Sequence, residues 1–324
     1  MRPASTLALA LALAACGSGN GSNGPSRAQH ATISLPADDA LHASAPLEWL
    51  YWTGHLHTDT GRWFGFEEVF FNEAVGSMAH VAVTDVDPAT FEFAVSVSAR
   101  ALHASANGFD LALAGQTAAG GGGNDTLHGA TATHTLDLAL TTSEPAVLQF
   151  GNGYTDFVTG GNTYYYSRER LTAAGTVAVG GEVLAVTGTA WFDHQWGNLA
   201  NVGVLGWEWF ALQLDDDREV MVFQLYDAAG RVAQVAGTYD DHGNVTVLAA
   251  GDITVTAQGT WTSPHTGCSY SSGWTLGVLG QSYTVTPVLL DQELHATGPM
   301  YWEGAATVTG DATGRAYVEL TTCM

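Results

Sequence analysis

The sequence contains no lysine, and its nine basic residues are arginines set against 32 aspartates and glutamates. The resulting formal net charge of −23 repels phosphate backbones, so we expect no nucleic-acid partner. The absence of lysine also excludes Schiff-base catalysis and a P-loop. With 46% hydrophobic and only 13% charged residues, the chain is predicted to fold and not to be a disordered acidic segment.

Cysteine is also scarce, and the first of the three cysteines, Cys16, follows a short apolar run from Leu7 to Ala15. That run is too short to span a bilayer and is typical of a signal peptide. The small residues before Cys16 resemble a bacterial lipobox, which implies cleavage before this cysteine and its acylation. Gly17, the next residue, favours the outer membrane over the inner one. The alternative is an ordinary secretory signal with a chance cysteine.

These features predict a lipoprotein signal peptide over residues 1–15 and a flexible tether over residues 16–40. The protein would then be an exported bacterial lipoprotein that contacts the membrane only through its lipid anchor. The other two cysteines, Cys268 and Cys323, could form a disulfide in an oxidising compartment. The sequence leaves open whether this bond forms.

Helix signals are almost lacking, whereas short runs rich in Val, Thr, Tyr, Phe and Trp recur between Gly, Asn and Asp. The stretch "GTVAVGGEVLAVTGTAWF" predicts a hairpin that turns at Gly180-Gly181, because paired glycines tolerate positive φ angles. Many short, regularly spaced strands predict an all-β sandwich or barrel.

A weak internal repeat refines this fold class. The segments "EWLYWTGHLHTDTGRWFGFEEVFF", from Glu48, and "WEWFALQLDDDREVMVFQLYD", from Trp207, each combine a Trp-rich strand, an acidic turn and a second apolar strand. They predict two related β-domains, over residues 41–205 and 206–324. The alternative is chance similarity between ordinary β-hairpins.

One glycine-rich insert, "GQTAAGGGGNDTLHGA", matches the nonapeptide of calcium-binding β-rolls once, from Gly120 to His128. Those folds hold each ion between successive turns and need several copies. The insert is therefore predicted to be a flexible loop and not a calcium site.

Six motifs occur in the order "EWLYWTGHL", "FGFEEVFF", "TYYYSRERL", "VTGTAWFDHQWGN", "GWEWFALQLDD" and "YWEGAATVTGDATGRAYVEL". Together they resemble the AttH/CrtC-type lipocalin-like family, which includes carotenoid 1,2-hydratases and related fungal cyclases. The resemblance extends from about residue 45 to residue 320. It implies two packed lipocalin-like (calycin) antiparallel β-barrel domains, with an apolar ligand cavity inside or between them.

Asp193 and His194 lie among aromatic residues in "GTAWFDHQWGN" and are the candidate catalytic residues. Hydration of an isolated alkene requires an acid that stays protonated near neutral pH, and burial raises the pKa of a carboxyl group. The carbocation that forms is stabilised by aromatic faces. The resemblance implies that Asp193 is the acid, with Trp191 and Tyr166 lining its pocket. Tyr164 stands where the hydratases have a histidine, which weakens the implied hydratase activity.

The remaining predicted lining residues are aromatic or acidic and lie in the same motifs: Tyr164, Trp196, Trp49, Tyr51, Glu67, Trp207, Glu208 and Trp209. The alternative for Asp193 is a structural role, as a loop cap or as the ion-pair partner of Arg168 or Arg170. Neighbouring residues on a strand point to opposite faces, so Asp193 and His194 pair only if the chain bulges or turns.

The motif H-x-H at His55 and His57 places two rings on one strand face, which suits zinc. No third ligand is evident beyond the weak candidates His194 and Asp59, so no metal or other cofactor is predicted. No G-x-S-x-G elbow supports a serine hydrolase.

The sequence therefore predicts a membrane-anchored lipocalin-like protein that binds an apolar small molecule of isoprenoid, polyene or lipid-like type. Two functions remain open: acid-catalysed hydration, cyclisation or isomerisation of the bound molecule, and non-catalytic carriage or sensing. A secreted hydrolase of unknown substrate is a further alternative. Protein partners are not predicted.

Overall fold

The computed structural model describes residues 32–73, 75–105, 108–142, 144–199, 204–296, 300–321 and 323. The predicted signal peptide, Cys16 and most of the tether lie outside these residues. The described chain forms 24 β-strands and three short 3-10 turns, which are Ala37–Asp39, Gln149–Gly151 and Ala250–Asp252. The all-β prediction is confirmed. In the same ranges, no helix has the length and apolarity needed to cross a membrane.

The first sheet contains twelve strands. They are β1 Leu47–His57, β2 Trp63–Glu73, β3 Gly76–Asp85, β4 Thr90–Ser98, β5 Phe109–Leu113, β6 Gln116–Gly121, β7 Asn124–Ala130, β8 His134–Thr141, β9 Val147–Leu148, β10 Tyr154–Asp156, β11 Asn162–Val179 and β12 Glu182–Asn198. Their order is β4-β3-β2-β1-β12-β11-β8-β7-β6-β5, with β9 and β10 also paired to β11. The two end strands, β4 and β5, lie next to each other, so the antiparallel sheet forms a nearly closed barrel.

The second sheet contains ten strands and follows in the chain. The strands after residue 204 are β13 Val204–Leu214, β14 Arg218–Asp227, β15 Val232–Asp241, β16 Asn244–Leu248, β17 Ile253–Ala257, β18 Thr260–Thr262, β19 Ser269–Ser271, β20 Trp274–Val278, β21 Gln281–Pro287, β22 Glu293–Leu294, β23 Tyr301–Gly310 and β24 Gly314–Leu320. The order is β16-β15-β14-β13-β24-β23-β21-β20-β17, with β22 on β23, and β18 and β19 form a separate hairpin. Because β15 approaches β17, this sheet also forms a nearly closed barrel.

The internal repeat corresponds to equivalent hairpins of the two barrels. β1 pairs with β2 and with β12, the last strand of the first sheet. β13 pairs with β14 and with β24, the last strand of the second sheet. The first sheet ends at Asn198 and the second begins at Val204.

Strand alternation divides the buried side chains among three compartments. Leu50 and Trp52 of β1 belong to the interior of the first barrel, whereas Tyr51 points to its outer face. Phe210 of β13 lies inside the second barrel, and Trp209 points outward. The outer faces of β1, β2, β11 and β12 pack against those of β13, β14, β23 and β24. We call this buried layer between the barrels the seam.

The glycine-rich insert is not a flexible loop, which corrects the prediction. Its residues form the hairpin of β6 and β7, in which Ala118 pairs with Leu127. Both side chains are buried in the first barrel and anchor the hairpin. Gly120 to Gly123 have φ angles of 156°, 136°, 66° and 80°, so the glycines serve a tight turn. Glycine content alone does not reveal that apolar residues alternate around the turn.

The predicted hairpin at Gly180-Gly181 is present, with φ angles of 60° and 85° at the two glycines. It joins β11 to β12, the two longest strands of the first barrel. At the other end of the chain, Cys268 and Cys323 form a disulfide with their Cα atoms 4.9 Å apart. This bond ties the segment after β24 to the residue that precedes β19.

Candidate functional site

A bulge in β11 decides which residues face Asp193. From the turn, β11 and β12 pair in regular register as far as Leu171 with Ala190. If that register continued, Arg168 would lie opposite Asp193. The register instead shifts by one residue between Arg168 and Leu171, so Ser167 pairs with Asp193. Because side chains alternate, this slip exchanges the two faces of β11 relative to β12.

The Asp193 carboxyl group lies in the seam and is 4% exposed. The Tyr165 hydroxyl donates a hydrogen bond to its Oδ2 at 2.7 Å. The Ser167 hydroxyl and the Trp191 indole N–H donate to its Oδ1, at 2.6 Å and 2.7 Å. Each carboxyl oxygen is therefore engaged by neutral donors of the first barrel.

Among the described residues, no cation lies within ion-pair distance of Asp193. Arg168 pairs with Asp39 at 3.1 Å inside the first barrel. Arg170 contacts Glu219 and donates to the Leu214 carbonyl at 2.9 Å. The predicted alternative of an ion pair between Asp193 and either arginine is therefore wrong.

Burial raises the pKa of Asp193 to about 6, against the opposing effect of the hydrogen bonds from Ser167, Tyr165 and Trp191. Burial dominates because a carboxylate loses its water shell in the seam. The shift is in the direction that acid chemistry near neutral pH requires.

Aromatic rings surround this carboxyl group. Trp191 and Trp209 meet edge to face with their centroids 6.0 Å apart, and Tyr51 meets Trp209 edge to face at 5.5 Å. The Trp209 indole N–H donates to the Tyr165 hydroxyl at 3.2 Å, and Tyr165 donates in turn to Asp193. The second barrel thus contributes to the positioning of the Asp193 carboxyl group through Trp209.

Three further carboxyl groups lie in the same seam, of which Glu67 and Glu303 are buried and Glu319 is half-buried. Glu67 accepts a hydrogen bond from the Tyr301 hydroxyl at 2.9 Å. Glu303 accepts one from the Tyr51 hydroxyl, which comes from the opposite barrel. Glu319 accepts one from the Trp207 indole N–H at 3.0 Å. Together with Asp193, we call these groups the seam carboxyls.

Burial shifts all of the seam carboxyls toward their neutral forms. Burial raises the pKa of Glu67 to about 8 and that of Glu319 to about 7. Burial raises the pKa of Glu303 well above its ordinary value, and the charges of Glu67 and Glu319 add to this effect. Several acids thus share one water-poor layer, where ionising one raises the pKa of the others.

A small cavity of about 10 Å³ adjoins Trp191 in the seam, and Thr53, Gln213 and Tyr317 also line it. The hydroxyl oxygens of Thr53 and Tyr317 are buried and have no hydrogen-bond partner in the part of the chain that the structure describes. A volume of this size accommodates about one water molecule.

Other predicted site residues lie inside the first barrel and not in the seam. His194, Tyr166 and Trp196 pack in its interior core, and Tyr164 stacks on Trp196 at 5.4 Å. The His194 ring contacts two groups. Its Nε2 lies 2.7 Å from Glu48 Oε1, and its Nδ1 lies 3.3 Å from the Tyr166 hydroxyl oxygen. These residues face away from Asp193 because they occupy the opposite faces of β11 and β12.

Two predictions are therefore corrected. Tyr166 does not line a pocket with Asp193, since its hydroxyl donates to Asp39 at 2.7 Å in the barrel interior. Asp193 and His194 do not form a catalytic pair, because β12 continues its regular register through both residues. The residue that occupies the place expected for Tyr166 is Tyr165.

The remaining predicted lining residues fall into two compartments. The seam contains Trp191, Trp49, Tyr51, Glu67, Trp207 and Trp209. Glu208 instead points into the second barrel, where Gln224 and Tyr226 donate to it at 2.6 Å and 2.9 Å. It is therefore not part of the seam.

The H-x-H motif does not assemble a metal site with its suggested partners. His55 Nε2 contacts the Ala316 carbonyl oxygen across the seam at 3.0 Å, and His57 Nδ1 lies 3.2 Å from the Thr58 carbonyl oxygen. His194 lies on the other side of the sheet, inside the barrel.

Sequence reasoning missed several seam residues: Tyr165, Ser167, Tyr301, Tyr317 and Glu319. Tyr165 and Ser167 were visible in "TYYYSRER", but their face depends on the bulge. The other three lie on β23 and β24, and only the packing of the second barrel on the first brings them to Asp193.

Comparison with known proteins supports this architecture. The AttH-like family matches residues 26–323. An AttH candidate of known structure, NE1406 from Nitrosomonas europaea, is 28% identical with a TM-score of 0.85, and the match covers 92% of this chain and 99% of that one. Among curated proteins, no relative matches the chain.

More distant structures share the fold. Kievitone hydratase from Nectria haematococca is 18% identical with a TM-score of 0.77, over 90% of this chain and 94% of that one. CghA with Sch210972 is 14% identical with a TM-score of 0.57, over 86% and 89% of the two chains. These similarities confirm the two-barrel architecture.

Proposed function

The chain belongs to the AttH-like family, and from this premise we propose that it binds an apolar small molecule in the seam and protonates a carbon–carbon double bond there. Asp193 is the proposed proton donor. Hydration is the proposed outcome, and cyclisation or isomerisation would share the same first step. The ligand class is isoprenoid, polyene or lipid-like.

The observation that carries this proposal is the placement of the Asp193 carboxyl group. It is buried between the barrels and lies beside Trp191, and its hydrogen-bond partners among the described residues are all neutral donors. A carboxyl group in such surroundings can protonate carbon, since neither water nor a neighbouring cation stabilises its conjugate base strongly.

The π electrons of the alkene take the proton from Asp193, which forms a C–H bond and leaves a carbocation and a carboxylate. Water oxygen then bonds to the cationic carbon, and the proton that this water loses returns to Asp193. In isomerisation or cyclisation, a C–H proton adjacent to the cation returns instead.

The neighbours of Asp193 suit both stages. Tyr165, Ser167 and Trp191 donate to the carboxylate after it has lost its proton. The π faces of Trp191 and Trp209 offer electrostatic stabilisation to the carbocation without trapping it covalently. The cavity beside Trp191 supports hydration in particular, because Thr53 and Tyr317 could orient a single water there.

A larger ligand needs more room than this cavity offers. Pockets for drug-sized molecules are typically about 300–1,000 Å³, whereas the cavity beside Trp191 is about 10 Å³. Binding therefore requires the two barrels to separate locally or the seam side chains to move. The Asp193 carboxyl group, whose two oxygens both accept hydrogen bonds, favours a second candidate function, which is non-catalytic carriage of the ligand.

A hydrolase finds less support in the seam. The Ser167 hydroxyl donates to Asp193 and accepts from Gln149 at 2.9 Å, and no described histidine contacts it. A serine nucleophile would need such a base. The name of kievitone hydratase, a structural relative, agrees with hydration. Its sequence is 18% identical to this chain, which supports similarity of fold alone.

Incubation of the protein in D₂O with geranylgeraniol and with an acyclic carotenoid tests the proposal. Hydration adds one D₂O to the alkene, whereas isomerisation or cyclisation leaves one deuterium on carbon without added oxygen, and mass spectrometry and NMR detect both. Asp193→Asn should lower the rate by roughly 10²- to 10⁴-fold, the range for loss of a general acid. The exposed Asp110→Asn is the matched control and should retain the wild-type rate.

Two results would contradict catalysis by Asp193. One is an unchanged rate in Asp193→Asn, which would require another acid. The other is retention of either compound by the wild-type protein without any deuterium on carbon, which would support the carrier.

We also propose that Cys16 is acylated and anchors the protein to the outer membrane. Two measurements test this: globomycin-sensitive processing and labelling by a palmitate analogue, both of which should be lost in Cys16→Ala.

A further inference from the structure

Three side chains that commonly bind metals meet inside the first barrel. His42 Nδ1 lies 2.7 Å from Glu48 Oε1, and His194 Nε2 lies 2.7 Å from the same oxygen. The three potential ligand atoms all lie within 4.8 Å of one another. They come from separate parts of the chain, since His42 precedes β1, Glu48 belongs to β1 and His194 belongs to β12.

The second nitrogen of each histidine ring also has a partner. His42 Nε2 lies 3.4 Å from Asp38 Oδ1, and His194 Nδ1 lies 3.3 Å from the Tyr166 hydroxyl. In metal sites, the nitrogen that does not bind the ion almost always contacts such an outer partner, which fixes the ring orientation. Both histidines therefore present the inner nitrogen to Glu48 in a defined orientation.

The surroundings hold the three groups in place. The His42 ring stacks on Trp196 with a centroid distance of 3.9 Å. The His42 backbone N–H donates to both Glu48 oxygens, to Oε2 at 2.8 Å and to Oε1 at 3.1 Å, and Oε1 also faces the two rings. Glu48 and His194 are fully buried on adjacent paired strands, whereas the His42 side chain is 22% exposed. The group therefore opens to solvent on the His42 side only.

From this geometry we propose that His42, Glu48 and His194 bind a divalent first-row metal ion, with zinc as the ion best suited to them. Two imidazole nitrogens and one carboxylate oxygen form a common zinc ligand set, and a solvent molecule completes the coordination on the exposed side. Ligands of a tetrahedral zinc lie about 3.3 Å apart. Small rotations of the two rings would reach that spacing from the distances observed.

This site is independent of the proposed chemistry at Asp193. His194 and Asp193 point to opposite sides of the first sheet, so the metal would lie in the barrel interior and the acid in the seam. The metal would bridge β1, β12 and the segment that contains His42, and so hold these three parts of the chain together. No step of the proposed hydration passes through it.

Isothermal titration of chelator-treated protein with zinc chloride tests the site. We expect saturable binding of a single ion in wild type. Glu48→Gln and His42→Ala should each weaken zinc binding by more than about 100-fold, and Asp38→Asn, which alters only an outer partner, by about 10-fold. Cobalt substitution should give visible absorption bands in wild type that His42→Ala lacks.

Two controls separate a metal site from its alternatives. His128→Ala removes a surface histidine that contacts Asp137 at 2.6 Å and should leave zinc binding unchanged. Asp193→Asn should also leave it unchanged, so loss of catalysis and loss of metal are distinguishable. Thermal unfolding without zinc verifies that each variant folds.

The proposal is overturned if wild type shows no saturable zinc binding, or if His42→Ala and Glu48→Gln bind zinc as tightly as wild type. The three groups would then form a hydrogen-bonded cluster only.

Discussion

Asp193 and His194 are consecutive residues of β12 whose side chains enter different compartments of the molecule. The carboxyl group of Asp193 lies in the seam, where Tyr165 donates to it. The imidazole of His194 lies inside the first barrel, 2.7 Å from Glu48. One strand therefore supports two separate polar sites, and substitutions at the two residues are expected to affect different properties.

The seam is held together by hydrogen bonds as well as by apolar packing. Tyr51 of the first barrel donates to Glu303 of the second, and Tyr301 of the second barrel donates to Glu67 of the first. This reciprocal pairing places neutral donors on buried carboxyl groups. Separation of the barrels would expose these carboxyl groups to water. Ligand entry would therefore be linked to the protonation state of the seam carboxyls.

Tyr51→Phe should destabilise the protein by about 1–3 kcal/mol, because it leaves buried Glu303 without its donor. Tyr317→Phe is the matched control in the same seam, since the described residues offer the Tyr317 hydroxyl no hydrogen-bond partner. Urea denaturation of both variants measures the difference. Equal losses of stability would show that the bond between Tyr51 and Glu303 contributes nothing.

Removal of the disulfide should lower the free energy of unfolding by about 2–4 kcal/mol, the usual range for a closed loop of this kind. Cys268 and Cys323 are 55 residues apart, so the bond restricts a long segment of the unfolded chain. Denaturation of the Cys268→Ser/Cys323→Ser variant under non-reducing conditions measures the effect. Wild type treated with reductant should match the variant, and a variant as stable as oxidised wild type would contradict the prediction.

Alternation in the sequence predicted which residues share a face, but not which faces meet. Trp191 and Asp193 were expected on one face of β12, and both lie in the seam. The regular register of a hairpin turning at Gly180-Gly181 would place Tyr166 and Arg168 on the side of Asp193. The bulge between Arg168 and Leu171 reverses this arrangement. No local pattern in "SRERL" signals the extra residue.

The location of the site also depended on packing that a single strand pattern does not encode. The sequence resemblance allowed a cavity inside or between the barrels, and the Asp193 carboxyl group lies between them. Both interiors and the seam are lined by similar aromatic residues, so composition does not distinguish them. His42 was not predicted as a site residue because Glu48 and His194 approach it only after the barrel closes.

Glu68→Met should raise the free energy of unfolding by about 1–3 kcal/mol. Glu68 is buried in the first barrel, and neither carboxyl oxygen has a hydrogen-bond partner among the described residues. An apolar side chain of similar length removes the cost of burying that group. Glu67→Met is the control and should be less stable than Glu68→Met, because it removes the hydrogen bond from Tyr301 to Glu67 and leaves the Tyr301 hydroxyl with His80 Nδ1 alone among these two partners. If Glu68→Met unfolds at a lower urea concentration than wild type, the carboxyl group has a stabilising partner.

The stability of the protein should fall as the pH rises from 7 to 8. Burial raises the pKa of Glu67 from 4.5 to about 8 and that of Glu319 to about 7, so the folded state retains protons that the unfolded state has released. The stability that these two carboxyl groups contribute is fully present below the unfolded-state pKa of 4.5. It is lost as the pH rises through their folded-state pKa values. His80, the neighbouring base, has a pKa lowered to about 4 and is neutral in this window. We expect a decrease of about 1–3 kcal/mol between pH 7 and 8.

Glu67→Gln isolates the share of this pH dependence that comes from one carboxyl group. The amide cannot ionise but can still accept the hydrogen bond from Tyr301, so the seam contact is retained. The free energy of unfolding of this variant should change by about 1 kcal/mol less than that of wild type between pH 7 and 8. Glu182→Gln, at the exposed start of β12, should follow the wild-type pH dependence. Urea denaturation at both pH values gives the comparison, and a wild-type stability that is constant or rises over this interval would mean that the seam carboxyls are already ionised at pH 7.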